Sequence, residues 1–534
     1  MASSRPSAQT VTNPASQQCT DPSIAQCTNL KRVKIAFDCY QRRFEDPSLR
    51  SLTTLLYNNR DSLTHLELQL DGIEDKVALP VVLSVSTLIH LQHLTFRSKY
   101  HSEAWVMVFL RACLPLPRLS ELYCHFFIRA SDLSPAGDIE VSYEDKDYYS
   151  LANPTPELKA ILDTAIAART SVSGSINVKI KALRFPDPDR DNIDLIRLVL
   201  PILRSDLVQV ETLEVPKFLD HRTKQLYDGI ILNHCVALRH LILPSFVENS
   251  RISNIFIRAA SGLKTVRGYC VRDDADWQPG TMMRWLAVHQ SKTLEEVELM
   301  ICRMIESRDL QALLIHCEQL KRFWMVPDTC TLTVQGIEFR HIITGAWKCL
   351  GMRELSLTLN RSIDVKTTLE AMREDSLNKC TGNGDLEVDE LYRSGDKEQE
   401  RKATAWAAKQ AFAQIGRLTA LEYLALGTDE GICGPDNRIS DSMWDLTLSK
   451  GYLAELAGLK NLRHLHMKSD HWSRMGQAEV EFMYTHWPLL DCVTFDKARM
   501  GLLQLLKEID LPHWQWLQRK RSSLRLSTMD LSPG

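Results

Sequence analysis

A six-residue pattern, L-x-x-L-x-L with Val, Ile, Phe or Met standing in at the apolar positions, recurs along the chain and limits what it can fold into. It appears as "LKRVKI" from Leu30, "LTHLEL" from Leu63, "LQHLTF" from Leu91, "LSELYC" from Leu119, "IKALRF" from Ile180, "VETLEV" from Val210 and "LRHLIL" from Leu238. It continues as "LKTVRG" from Leu263, "LEEVEL" from Leu294, "LKRFWM" from Leu320, "MRELSL" from Met352, "LEYLAL" from Leu421, "LRHLHM" from Leu462 and "LDCVTF" from Leu490. Most successive starts lie 25 to 33 residues apart, with wider steps of 61, 69 and 41 residues after Leu119, Met352 and Leu421. In a strand, alternate side chains point to opposite faces, so the apolar positions share one face and the residues between them face outward. One such unit cannot bury its own apolar face, so neighbouring units must stack.

This pitch is that of leucine-rich repeats. The chain therefore reads as an α/β leucine-rich-repeat solenoid of about 14 repeats, with a curved parallel sheet on the concave side and helices on the convex side. The helices are visible between the units. "DPSLRSLTTLLYNN" (Asp46 to Asn59) has a proline just inside its start and Leu49, Leu52, Leu55 and Leu56 at helical spacing. "ESRDLQALLIHC" (Glu306 to Cys317) places Leu310, Leu313 and Leu314 in the same way. Cys27, Cys235, Cys317 and Cys349 each stand three residues before the first apolar residue of a unit. That phase resembles the cysteine-containing type of leucine-rich repeat, in which a small buried cysteine turns the helix into the strand. A free cysteine behaves as a small hydrophobe. The adjacent pairs His234–Cys235 and His316–Cys317, which alone suggest fragments of a metal or nucleophile site, are on this register framework.

The repeats and their interruptions divide the chain. Residues 1–26, rich in Ser, Thr, Gln and Pro, are expected as a disordered tail. Repeats follow over 27–130, then an insertion or degenerate repeat over 131–177 with a helical "TPELKAILDTAIAA" (Thr155 to Ala168). Repeats resume over 178–360, a mobile charged loop covers 361–403, and C-terminal repeats span 404–500. Residues 501–534 are expected as a C-terminal cap and basic tail, with "QRKRSSLR" (Gln518 to Arg525) a solvated end rather than a targeting signal. A polar tail cannot cover the apolar end of a solenoid, so the first unit is expected to fray or to be covered by another domain or a partner.

Several stretches near the C-terminus, "AFAQIGRLTALEYLALG", "LTLSKGYLAELAGLKNLRHLHM" and "AEVEFMYTHWPLL", resemble the terminal repeats of fungal F-box/leucine-rich-repeat proteins. The resemblance covers roughly Ala405 to Phe495, and the remainder by repeat pattern alone. It implies a non-enzymatic protein-recognition scaffold similar to the substrate-receptor part of an F-box ubiquitin-ligase subunit. The implied partners are a protein on the concave face and the ubiquitin-ligase adaptor, reached through a missing or unrecognised N-terminal segment, since no F-box opening on Leu-Pro is recognisable. The alternatives are a free-standing leucine-rich-repeat interaction protein with no ligase role and, further off, a metal- or thiol-dependent enzyme using the His-Cys pairs.

The sequence assigns no catalytic residue, no cofactor and no metal. It contains no phosphate loop, nucleophile elbow, dinucleotide glycine pattern or zincin helix, and no C-x-x-C. "DPDRDN" (Asp187 to Asn192) starts like a calcium loop, but Asn192 stands where glycine is needed and Leu198 where the bidentate Glu belongs. His464, His466 and His471 do not amount to a ligand set. A net charge of -3 gives no bulk attraction to nucleic acid or anionic membrane. The longest apolar run, Ala78 to Leu91, falls short of the roughly 20 residues that span a bilayer. With 14 cysteines, a modest fraction, and no signal-peptide core, the chain is expected in the cytoplasm or nucleus.

Function is expected on the outward positions of the strands. These include Arg32, Lys34, His65, Glu67, His93, Glu121, Tyr123, Arg184, Glu214 and His240 early in the chain, and Glu354, Tyr423 and Lys468 late. The partner-binding residues singled out are Arg267, Tyr269, Glu296, Glu298, Arg322, Trp324, His464 and His466. Both charge signs alternate along these positions, which suits a protein rather than a nucleic acid, and Trp and Arg are the residue types enriched at binding hot spots.

Overall fold

A computed structural model describes residues 26–38, 47–71, 75–101, 103–128, 153–171, 180–184, 193–214, 229–230, 233–243, 262–269, 279–300, 306–326, 336–360, 363–379, 396–428, 446–467, 475–496 and 512–529. The tail over 1–25, the "DPDRDN" segment, most of the 131–177 interruption, Lys468 and His471 lie outside the described residues.

Two compact units divide the chain. The first holds β1 (Arg32–Asp38), β2 (His65–Asp71), β3 (His93–His101), β4 (Glu121–Ile128), β5 (Ile180–Arg184), β6 (Val208–Glu214) and β7 (His240–Leu243). The second holds β8 (Thr265–Tyr269), β9 (Glu296–Met300), β10 (Arg322–Val326), β11 (Ile337–Glu338), β12 (Glu354–Asn360), β13 (Tyr423–Thr428), β14 (His464–Met467), β15 (Cys492–Asp496) and β16 (Arg525–Met529). Within each unit the strands pair in chain order and every described pairing is parallel; only β11 stands aside, meeting the far end of β12. Helices alternate with the strands, as an all-parallel sheet requires.

One backbone device sets the register. The carbonyl of Lys31 accepts the N–H groups of both Thr64 and His65, at 3.0 and 3.1 Å. Thr64 receives Gln92 and His93 in the same way, and Gln92 receives Ser120 and Glu121. The second unit repeats it from Lys264 through Glu295, Lys321, Arg353 and Glu422 to Arg463. Residues about 28 apart thus become strand neighbours, and the wide steps do not disturb the rule. Ser120 still receives Lys181 and Ala182, and Arg353 still receives Glu422 and Tyr423. The apolar positions do what the pattern predicts: Leu66, Leu68 and Leu70 are buried, as are Leu320, Phe323 and Met325. Each fully buried leucine contributes about 1.5–3 kcal/mol.

The helices expected from periodicity occur as Pro47–Asn58 and Ser307–His316, and the one in the first interruption as Pro156–Thr170. Two segments differ from expectation. Over 361–403, expected as a loop, the described residues form helix Val365–Lys379 and the start of helix Asp396–Gly416. Asp364 opens the first of these by accepting from the Thr367 hydroxyl at 2.9 Å, and Leu369 and Ala403 pack together with Val365 and Met372 against them. Residues 380–395 lie outside the described residues. The basic run near the C-terminus is not simply a solvated end. It closes helix Pro512–Lys520 and leads into β16, which pairs with β15. Arg521 turns back to donate to the carbonyls of Trp487 at 2.8 Å and Leu490 at 3.0 Å. Among the described residues the strands number sixteen, where the pattern predicts about 14 repeats.

Candidate functional site

Strand register decides which outward residues meet. In the second unit one row runs Thr265, Glu296, Arg322, Glu354, Tyr423, His464, Cys492 and Arg525. The next row runs Arg267, Glu298, Trp324, Ser356, Ala425, His466, Thr494 and Ser527. Seven of the eight residues singled out from the sequence fall in these two rows. Tyr269 follows on β8 opposite Met300, but its ring lies outside the described side chains.

The rows form two connected groups. Arg267 lies between two carboxylates, with Nε 3.2 Å from Glu298 and a terminal nitrogen 3.9 Å from Glu296. Beyond them, Arg322 pairs with Glu354 at 3.1 Å while its guanidinium sits 4.5 Å over the Trp324 ring. Trp324 stacks on Tyr423 with centroids 5.3 Å apart, and Tyr423 meets the His464 ring edge-on at 4.7 Å. His464 Nε2 shares a hydrogen bond of 2.6 Å with Thr494 Oγ1, which is 3.1 Å from the Ser527 hydroxyl. A strip of cation, aromatic rings and hydroxyls thus runs across β10 to β16.

Burial tunes these groups. It pushes the Tyr423 hydroxyl up to about 12, with the nearby Glu354 carboxylate acting the same way. Burial also holds the His464 imidazole below its ordinary value, against an opposing pull from Asp491. The Trp324 indole N–H is buried without a hydrogen-bond partner among the described residues, an uncommon state for a polar group in a native protein.

Sequence reasoning named the first half of this strip and missed its far end. Thr494 sits at the outward position of "LDCVTF", so the repeat register could have found it. Ser527 could not be reached that way, because register with β15 gives its unit Ser523 and Thr528 where apolar framework residues belong.

The first unit carries a separate feature. Arg32, His65, His93 and Glu121 stand side by side on β1 to β4. The two imidazoles stack with centroids 4.0 Å apart, and His93 Nδ1 lies 2.8 Å from a Glu121 oxygen. Next to this row a hollow of about 280 Å³ is lined by Glu67, Glu121 and Glu214 together with His93, Arg97 and Tyr123. All six except Arg97 are outward positions anticipated from the pattern, yet none was singled out, because volume does not show in a strand motif.

The His-Cys pairs resolve as framework. Cys235, Cys317 and Cys349 are buried, and burial pushes each thiol up to about 12, far from a reactive thiolate. Their neighbours His234 and His316 are exposed. Cys27 is half-buried. Among the described residues no three His, Cys, Asp or Glu side chains converge as a metal ligand set, and no helix is long and apolar enough to cross a membrane.

The fold therefore defines an α/β repeat protein with an outward sheet face of mixed charge. No protein-family model matches the chain, and no curated protein matches it.

Proposed function

We propose that the chain is a non-enzymatic protein-recognition scaffold that binds a protein partner through the outward face of its second unit. The observation that supports this most is the contiguous Arg322, Trp324, Tyr423 and His464 strip. Partly buried aromatic and arginine side chains in contact are the composition of binding hot spots. The orphaned Trp324 N–H fits a surface whose hydrogen bonding a partner completes. Burial of Cys235 and Cys317 makes the His-Cys pairs poor support for a thiol enzyme. The resemblance of the C-terminal repeats to fungal F-box/leucine-rich-repeat proteins supports a finer reading, the substrate-receptor role in a ubiquitin ligase. A free-standing interaction protein is the second reading, since the same strip would serve a partner without any ligase adaptor.

Affinity capture from cell extract with the full chain, followed by the Arg322→Ala/Trp324→Ala variant, tests the scaffold. Loss of the captured protein by at least tenfold, with an unchanged melting temperature, is expected. Retention of every captured protein by the double variant overturns the site. Co-capture of a cullin adaptor selects the ligase reading, and its consistent absence selects the free-standing one. Leu320→Asp serves as the contrast: it buries a charge at a position with no exposure and unfolds the unit.

A further inference from the structure

The chemistry of the strip in the second unit limits the kind of polypeptide it can take, and its charges come first. In the two rows that carry it the ionised side chains balance, with Arg267, Arg322 and Arg525 against Glu296, Glu298 and Glu354. Arg267 is taken by Glu298 and Glu296, and Arg322 by Glu354. Arg525 stands apart, on the last strand. The residues just before the strands pair likewise: Glu295 bridges Lys264 and Lys321, and Glu422 faces Arg353. Next in that line come Arg463 and Asp491, of opposite sign. A guest dense in one sign of charge therefore finds no matching surplus around Trp324 and Tyr423.

Hydrogen bonding is what these two rings leave open. Among the described residues neither the Trp324 N–H nor the Tyr423 hydroxyl has a hydrogen-bond partner. The Trp324 N–H is closed off from solvent, and the long Arg322 side chain over the same ring is the neighbour able to swing aside. Burial keeps the proton on Tyr423 at neutral pH, so its hydroxyl remains a donor. The stacked rings reach over β12, which lies between their strands and carries only Ser356 at that position. Ser356 in turn donates its hydroxyl to the Met325 carbonyl at 3.2 Å. The result is a flat aromatic surface with two spare donors.

A guest that fits such a surface supplies neutral acceptors and flat apolar groups. A polyproline II segment has this make-up: its carbonyls make no internal hydrogen bonds, proline has no N–H of its own, and the pyrrolidine rings pack on aromatic side chains. Its conformation is preformed, so binding orders it at little cost. An oligosaccharide also stacks on aromatic rings, but its hydroxyls need acceptors as well, and the nearest carboxylate, Glu354, is held by Arg322. We propose that the Trp324 and Tyr423 surface receives a proline-rich polypeptide segment in the polyproline II conformation. The proposal rests on the reading of the chain as a protein-recognition scaffold and names the class of segment it recognises.

Fluorescence anisotropy of the full chain with labelled decaproline, capped at both ends, tests the assignment against a capped Gly-Ser decapeptide. Saturable binding of decaproline is expected, about tenfold or more tighter than the control. Trp324→Phe keeps a ring and removes the N–H, and Tyr423→Phe removes only the hydroxyl. Each should weaken decaproline about threefold or more at unchanged melting temperature, the worth of one hydrogen bond. Glu157→Gln, which removes a carboxylate paired with Arg111 on the helices, should change nothing. Decaproline bound no better than the control, or bound by both phenylalanine variants as by wild type, overturns the proposal. A decaglutamate or maltohexaose that binds more tightly than decaproline overturns it in favour of an acidic or a carbohydrate guest. The two readings fail separately. If captured proteins are lost from Arg322→Ala/Trp324→Ala while wild type ignores decaproline, only the proline assignment falls. If decaproline binds and both phenylalanine variants weaken it, but every captured protein survives the double variant, the capture-based reading falls and the proline site stands.

Discussion

Cys317 and Trp324 stand seven residues apart in "CEQLKRFW", and the repeat register sends one inward and the other out. That separation was legible in the sequence because both lie in a unit whose apolar positions are all filled. The polar pins between units were not legible. Arg169 donates from the end of its helix to the carbonyls of Leu114 and Leu119, both at 3.0 Å, and Arg521 makes the equivalent contacts to Trp487 and Leu490. Asn59 holds the Leu30 N–H at 2.8 Å from the next unit. Two residue types do one job at three places, so no motif announces it. The cysteines permit a direct test. With the thiols of Cys235, Cys317 and Cys349 held near 12 by burial, iodoacetamide at pH 8 should leave these three unmodified in the native chain and modify them fully in guanidinium. Peptide mass spectrometry reads the outcome, and rapid native labelling at Cys317 would contradict its framework role.

At the scale of elements, the strands were readable and helix Val365–Lys379 of the polar interruption was not. Helix Val365–Lys379 shows only a narrow apolar stripe, Val365, Leu369 and Met372, amid charged residues, and it is buried by contact with Ala403 far along the chain. Its start signal, Asp364 with Thr367 three residues on, was present, but such short polar signals also occur in loops. The long helix Asp396–Gly416 ends against the short helix Tyr452–Glu455 with almost no clearance. A Cβ on Gly416 would lie 1.9 Å from the Glu455 carbonyl oxygen. Backbone cannot yield as a flexible side chain can, so Gly416→Ala should push the two helices apart and cost about 1–3 kcal/mol, the range for overpacking. Chemical denaturation measures this. Gly351→Ala, where nothing lies within 4 Å of the added carbon, is the control for a glycine replacement without overpacking.

Among the described residues, burial shifts four histidines in one direction. His65 in the first unit and His341, His464 and His513 in the second are all held below the ordinary value of 6.5, with burial the largest cause in each case. Neighbours modulate it: His93 and Arg32 add to the effect at His65, whereas Glu338 opposes it at His341 and Glu479 at His513. The consequence for stability has a definite sign. Just below pH 6.5 the unfolded chain binds protons at these positions while the folded chain does not. Stability follows the difference in bound protons, so it is fully present above about 6.5 and declines as pH falls toward the lowered folded values. The melting temperature should therefore be lower at pH 5.5 than at pH 7.5. The decline should be smaller in a His65→Gln/His464→Gln variant, which removes one such group from each unit. A pH dependence identical in wild type and variant would place its origin in other groups.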